Sequence, residues 1–247
     1  MAGDKPSGAR RLATSAEIQR RVQAGGERVW SFEELAGARP LAAAQALSRL
    51  VARGELQRIQ RGLYYRPRPS RYGVSRPDPG VLLRIAQRSR SLFPAGGSAA
   101  VRLGYSTQVP ARPELSTTAS SVPRRLVGPR ALVHVRRPAA WASLSEEEGA
   151  LLELLRERAA SSELSEEQTL TRTLGLLGVP RRLSRLLEAA RTEPPRVRAL
   201  LGALAETLGA RPRTLASLRA SLHPLSRFDF GCFRRLPSAR AWQAKAV

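Results

Sequence analysis

Several residue types are scarce in this sequence, and each shortage excludes something. The single cysteine, Cys232, rules out an internal disulfide framework. The two histidines, His134 and His223, lie far apart, and with one cysteine they exclude a zinc finger. Only Lys5 and Lys245 are lysines, and neither follows a glycine-rich turn, so there is no Walker A loop; no G-x-G-x-x-G is present either. No apolar run reaches the ~18 uninterrupted residues of a membrane-spanning helix. Arg10-Arg11 precede small and polar residues, where a secretory signal needs an apolar stretch. These absences lead to the expectation of a cytoplasmic protein with no membrane partner and no cofactor.

Acids are also scarce: 20 Asp+Glu against 42 Lys+Arg, a formal net charge of +22. That imbalance favours polyanionic partners, nucleic acid ahead of an anionic membrane surface. The basic residues are nearly all arginine, and alanine and leucine abound, the bias a GC-rich genome imposes. Such a bias does not explain the shortage of acids. Residues 1–76 carry net +9, 77–140 net +8 and 169–247 net +11, while 141–168 carry net −6. Five acids of that stretch (Glu146, Glu147, Glu148, Glu166, Glu167) fall in first helical turns, where they complement the helix dipole. The alternative is a docking face for a basic partner or for the chain's own N-terminal domain.

With 247 residues, 42% of them hydrophobic, the chain suits two modest domains. Residues 1–12 read as a flexible arm. Ala16, Ile18 and Val22 mark a short amphipathic helix that ends at Gly25-Gly26. Val29-Trp30 suit a strand, and Ser31 with Glu34 forms a capping box for a brief helix stopped by Gly37. Pro40 then opens a longer helix, terminated by Gly54. Its apolar stripe comprises Ala43, Ala44, Leu47, Leu50 and Val51, and its opposite face carries Gln45, Arg49 and Arg53. Residues 55–59 and 63–66 are strand-like runs joined through Gln60-Arg61-Gly62, a hairpin.

Helix, short helix, longer helix and basic hairpin make a winged helix-turn-helix over 13–68. In such a module the longer helix enters the major groove and the hairpin lies along the sugar-phosphate backbone. Gln45, Ser48, Arg49 and Arg53 thus become candidate DNA-side positions of the helix. Gln45 and Arg49 suit base edges; Arg58, Arg61 and Arg66 suit phosphates. Of Tyr64 and Tyr65, one ring is expected in the core and the other toward DNA.

A linker over 69–80 leads to a second domain over 81–225, followed by an aromatic and basic tail over 226–247. The second domain begins with a helix stopped by Pro94 and a short apolar helix after Gly96-Gly97-Ser98. A small β unit follows, from strand-like alternation in the runs STQVPARPELSTTA, PRRLVG and ALVHVRR, with Val133 and Val135 inward and His134 outward. Residues 143–222 are helical in pattern, with capping boxes at Ser145/Glu148 and Ser165/Gln168. The fold class is therefore α+β and helix-rich: a winged helix-turn-helix, a mixed β unit and a C-terminal helical region. No catalytic constellation and no metal site emerges. Asp78 with Glu114 faintly suggests a nuclease site, but the usual lysine is absent and Asp78 between two prolines suits a turn.

The segment ALSRLVARGELQRIQRGLYYRP, followed by PAGGSAAVRLGYSTQVP, resembles AbiEi-type antitoxins of bacterial type IV toxin–antitoxin systems. The likeness covers roughly 29–137. Its most telling part pairs the RGLYY wing with AA-x-x-LG-x-x-x-QVP, here Ala99, Ala100, Leu103, Gly104, Gln108, Val109 and Pro110. The resemblance implies a phage-defence antitoxin whose winged helix binds inverted repeats in its own promoter, as double-stranded DNA, and represses the operon. It implies a second domain that opposes a nucleotidyltransferase-like toxin, by direct contact or otherwise; an inverted-repeat site would fit a homodimer or two cooperating monomers on DNA. It places Arg49, Arg58, Arg61 and Gly62 on the DNA side and supplies no catalytic residue; the RFDFGCF segment has no counterpart. The alternatives are a stand-alone winged-helix transcriptional regulator, a nucleic-acid-acting enzyme targeted by the winged helix, and an RNA- or ribosome-binding module.

Overall fold

The computed structural model describes residues 15–37 and 40–245. The expected arm at 1–12 lies outside them. The architecture is α+β and helix-rich, in two compact units, Met1–Arg84 and Ile85–Val247. Among the described residues, no helix is long and apolar enough to cross a membrane.

The first unit runs α1 (Ser15–Ala24), β1 (Arg28–Ser31), α2 (Phe32–Ala36), α3 (Pro40–Ala52), β2 (Gln57–Gln60) and β3 (Leu63–Arg66). Its sheet is antiparallel throughout, in the order β1-β3-β2, the winged-helix arrangement. The Ser31 hydroxyl accepts from the Glu34 N–H while the Glu34 carboxylate accepts from the Ser31 N–H, which starts α2 cleanly. Ile18 and Val22 of α1, Leu35 of α2, and Ala43, Ala46, Leu47 and Leu50 of α3 form the core with Trp30, Leu56 and Tyr64. Ala46 therefore replaces Ala44 in the expected stripe, because Ala44 lies a residue too far round the helix and is exposed.

Both tyrosines of the wing strand are buried, contrary to the expectation that one ring would face DNA. Adjacent strand residues point to opposite faces. Tyr64 joins the core, and Tyr65 turns to the other face, where its hydroxyl donates to Glu27 at 2.6 Å and meets Ser75 at 2.7 Å. Those bonds hold the Glu27 carboxyl below its usual range, and burial pushes the Tyr65 phenol up. The segment read as a linker is also structured: β4 (Pro69–Ser70) and β5 (Gly73–Val74) form a small antiparallel hairpin before α4 (Pro79–Arg90).

The second unit contains β6 (Leu92–Pro94), α5 (Gly96–Leu103), β7 (Glu114–Thr117), α6 (Arg124–Val127) and β8 (Leu132–His134). Strand β7 lies between β6, antiparallel, and β8, parallel. Several details differ from the sequence reading. PRRLVG is a helical turn rather than a strand, and the helix expected to reach Pro94 ends earlier, leaving residues 92–94 to pair with β7. The regular strand also ends at His134, and two residues on, Arg136 takes a left-handed conformation (φ 59°). Val135 is consequently exposed rather than inward, and His134 is half-buried against Glu114.

Then come α7 (Glu146–Arg156), α8 (Glu166–Leu177), α9 (Pro180–Ala190), α10 (Pro195–Thr207) and α11 (Pro212–Ala220). Proline opens each of the last three, where its missing N–H costs no helical hydrogen bond. Helix α10 is buried almost all round, from Ala199 through Ala205. The aromatic tail completes this core with Phe230, Phe233 and Trp242. Trp242 lies so close to α10 that a β-carbon on Gly202 would stand 2.2 Å from its ring. Gly202→Ala is therefore expected to lower stability by about 1–3 kcal/mol, as overpacking does. Urea unfolding followed by tryptophan fluorescence would measure this, and an unchanged midpoint would mean that the tail is not seated there.

The concentration of acids in 141–168 has an internal use. Glu146 pairs with Arg102, Glu147 with Arg182, Glu148 with Arg185, Glu153 with Arg137, and Glu166 with Arg234 and Arg235. All of these arginines belong to the same unit. Glu146, Glu147, Glu148 and Glu166, all in first helical turns, thus serve both the helix dipole and a neighbouring guanidinium.

Candidate nucleic-acid interface

Helix α3 presents its polar side outward because its small and apolar residues, spaced three and four apart, are buried against α1 and α2. Gln45, Ser48 and Arg49 lie on that exposed side, one and two turns along. The wing places Arg58 on β2 and Arg61 at its tip, both exposed. Among the described residues, these five side chains make no hydrogen bond or ion pair. They stand free for an external partner.

The remaining candidates are committed inside the protein. Arg53 is exposed but pairs with Glu55 at 2.7 Å. The Arg66 guanidinium reaches back to the end of α1, donating to the Val22 carbonyl at 3.0 Å and to that of Gln23. That is the placement a cation favours at a helix C-terminus, so Arg66 braces α1 instead of projecting toward a phosphate. Gly62 (φ 79°) closes the wing turn, and its carbonyl accepts the Phe32 N–H at 2.7 Å, which ties the wing to the start of α2.

Sequence reasoning missed one exposed pair. Tyr72, at the tip of the β4–β5 hairpin, is 84% exposed, and the Arg71 guanidinium sits 4.7 Å from its ring centre. An aromatic face and a guanidinium held together are the side-chain types that meet bases and phosphates. The proline-bounded PSRYGV run held the only signal: a tyrosine beside an arginine in a turn-forming stretch.

The residues considered for chemistry are occupied structurally. Asp78 accepts the Gly80 N–H at 2.8 Å, an ordinary turn contact, and lies in the first unit while Glu114 lies in the second. Burial pushes the Cys232 thiol up to about 11, which suppresses the thiolate a nucleophile needs. His223 accepts the Leu225 N–H on Nδ1. Of the AA-x-x-LG-x-x-x-QVP residues, Ala99, Ala100 and Leu103 are core, whereas Gln108 and Val109 are exposed.

Residues 28–139 match a family of unknown function, DUF6088. No curated protein matches the sequence. The RV2827C protein from Mycobacterium tuberculosis, known from its crystal structure, aligns at 21% identity and a TM-score of 0.40, over 92% of this chain and 89% of that one.

Proposed function

We propose that this protein is a DNA-binding antitoxin that represses its own operon. The observation carrying the DNA half is the set of five exposed side chains (Gln45, Ser48, Arg49, Arg58 and Arg61), unpartnered among the described residues, on the longer helix and wing of a winged-helix unit. Phosphate contacts from Arg58 and Arg61 supply affinity and register; Gln45 and Arg49 carry the bidentate chemistry that distinguishes adenine and guanine edges. The formal charge of +22 adds long-range attraction to the duplex. An inverted-repeat operator would be bound by two copies, each unit reading one half-site.

The antitoxin half rests on the resemblance to AbiEi-type antitoxins, carried by the RGLYY wing and the AA-x-x-LG-x-x-x-QVP segment. In this reading the second unit counteracts a nucleotidyltransferase-like toxin in the cytoplasm, and no reaction is catalysed by the chain itself. The test is growth of cells expressing the adjacent reading frame, with and without this gene. Toxicity relieved by the full chain supports the antitoxin reading. A harmless neighbour, or unrelieved toxicity, sinks it and leaves a stand-alone winged-helix regulator. Deleting residues 1–76 in the same assay separates DNA binding from neutralisation.

A further inference from the structure

The sequence offers Glu114 only as a weak partner for Asp78 and singles out neither His134 nor Glu157 as a metal ligand, yet folding brings Glu114, His134 and Glu157 together. Glu114 opens β7, His134 closes β8, and Glu157 follows the last residue of α7. One ligand atom from each lies within 4.8 Å of the other two, and all three residues are half-buried. The parallel register aligns Ser116 with His134, so Glu114 and His134 share one face of the sheet, their side chains 2.7 Å apart. On the other side, Gly96 (φ 47°) keeps clear the space in which the Glu114 carboxylate sits: a β-carbon there would stand 1.9 Å from Oε2.

The charge balance around the cluster is unlike that elsewhere in the unit. Each fully buried acid has an arginine: Glu148 has Arg185, Glu153 has Arg137, and Glu193 has Arg156. Glu157 has none, and among the described residues its carboxylate makes no hydrogen bond or ion pair. The nearby Arg137 is held by both oxygens of Glu153, at 2.5 and 2.9 Å. In a chain with 42 basic side chains against 20 acids, two half-buried carboxylates therefore converge on a single imidazole.

We propose that Glu114, His134 and Glu157 bind a zinc-class divalent cation that braces β7, β8 and the end of α7. One imidazole nitrogen with two carboxylate oxygens suits a borderline ion and is a poor match for magnesium, which takes all-oxygen octahedral shells. Bonds of about 2.0–2.2 Å in a tetrahedral shell put ligand atoms roughly 3.4 Å apart. The His134–Glu114 contact must open by about 0.7 Å from its 2.7 Å and Glu157 must close in, which side-chain rotation supplies. Three protein ligands leave a fourth position for water.

The full chain, stripped with a chelator and dialysed against Zn2+, is expected to take up about one zinc per chain in this site. Thermal unfolding should shift upward with Zn2+ and stay unmoved by Mg2+. His134→Ala and Glu157→Gln, each checked for folding by circular dichroism, should lose at least ~10-fold in zinc affinity and lose the thermal shift. Glu157→Gln is the conservative partner: it keeps shape and removes the charge. Wild type that binds no zinc, or a folded Glu157→Gln that binds it as wild type does, overturns the proposal. Zinc retained by His134→Ala at wild-type affinity overturns it too, since the ion would then sit elsewhere. None of these readouts involves DNA or growth rescue, so the outcome is independent of the antitoxin reading.

Discussion

Replacing Arg58 and Arg61 together by alanine is expected to weaken DNA binding on every sequence alike and to flatten its salt dependence. Each arginine that neutralises a phosphate releases a condensed counterion, so the slope of log K against log salt should fall by ~0.9 for each phosphate no longer neutralised, about 2 for the pair. Both side chains are exposed and, among the described residues, without an internal partner, so their removal should not move the unfolding midpoint. Fluorescence anisotropy on a promoter duplex and a scrambled duplex, over a salt series, reads both effects. A slope unchanged in the double variant would take the wing out of the interface. Arg49→Ala serves as the contrast: from the recognition helix it should relax discrimination between the two duplexes by about 1–3 kcal/mol, if its contact is bidentate to guanine.

Removing Glu193 should be the most damaging single change to the second unit. Its carboxylate is wholly buried between α9 and α10. One oxygen accepts the Trp141 indole N–H at 2.7 Å, and the other lies 2.7 Å from the Arg156 guanidinium, a charge contact without hydrogen-bond alignment. Arg156 is itself only 19% exposed and lies 5.4 Å from the Trp141 ring centre. Glu193→Ala strands that charge and the indole donor together, an expected loss of about 3–5 kcal/mol. That is a large share of the roughly 5–15 kcal/mol by which a folded domain is stable. Changing Arg156 to Met in the same chain should recover much of it, because the unpaired charge is then gone. Urea denaturation measures both variants. A loss below about 1 kcal/mol for Glu193→Ala would mean that water or another acid replaces the carboxylate.

Much of the first unit was legible because its signals are local. Ser31 and Glu34 are three residues apart, Pro40 and Gly54 bracket α3, and Gln60-Arg61-Gly62 turns the wing; each acts through backbone groups within a few residues. The exposed positions of Gln45, Ser48 and Arg49 followed from helical period alone. The misreadings came where distant chain decides. Arg66 had no visible reason to turn away from the phosphate-facing position expected of it until α1 supplied open carbonyls more than forty residues away. Tyr65 turned inward because Glu27 and Ser75 receive its hydroxyl. Residues 92–94 became a strand because β7 offered an open edge, which no local propensity encodes.

What the amino-acid order determined by itself was the α+β class, the winged-helix order of elements, the helix starts and the basic character, all set by periodicity, caps and composition. Only the tertiary structure decided which charges are free and which are taken. Arginines of the second unit pair with Glu146, Glu147, Glu148, Glu153 and Glu166; Arg53 and Arg66 are committed while, among the described residues, Arg49, Arg58 and Arg61 are not; and Glu114, His134 and Glu157 meet across 43 residues of chain. The physical reason is range. Backbone hydrogen bonds and side-chain period act over a turn or two, whereas a charge finds its partner by distance in space, which exists only after the chain has folded.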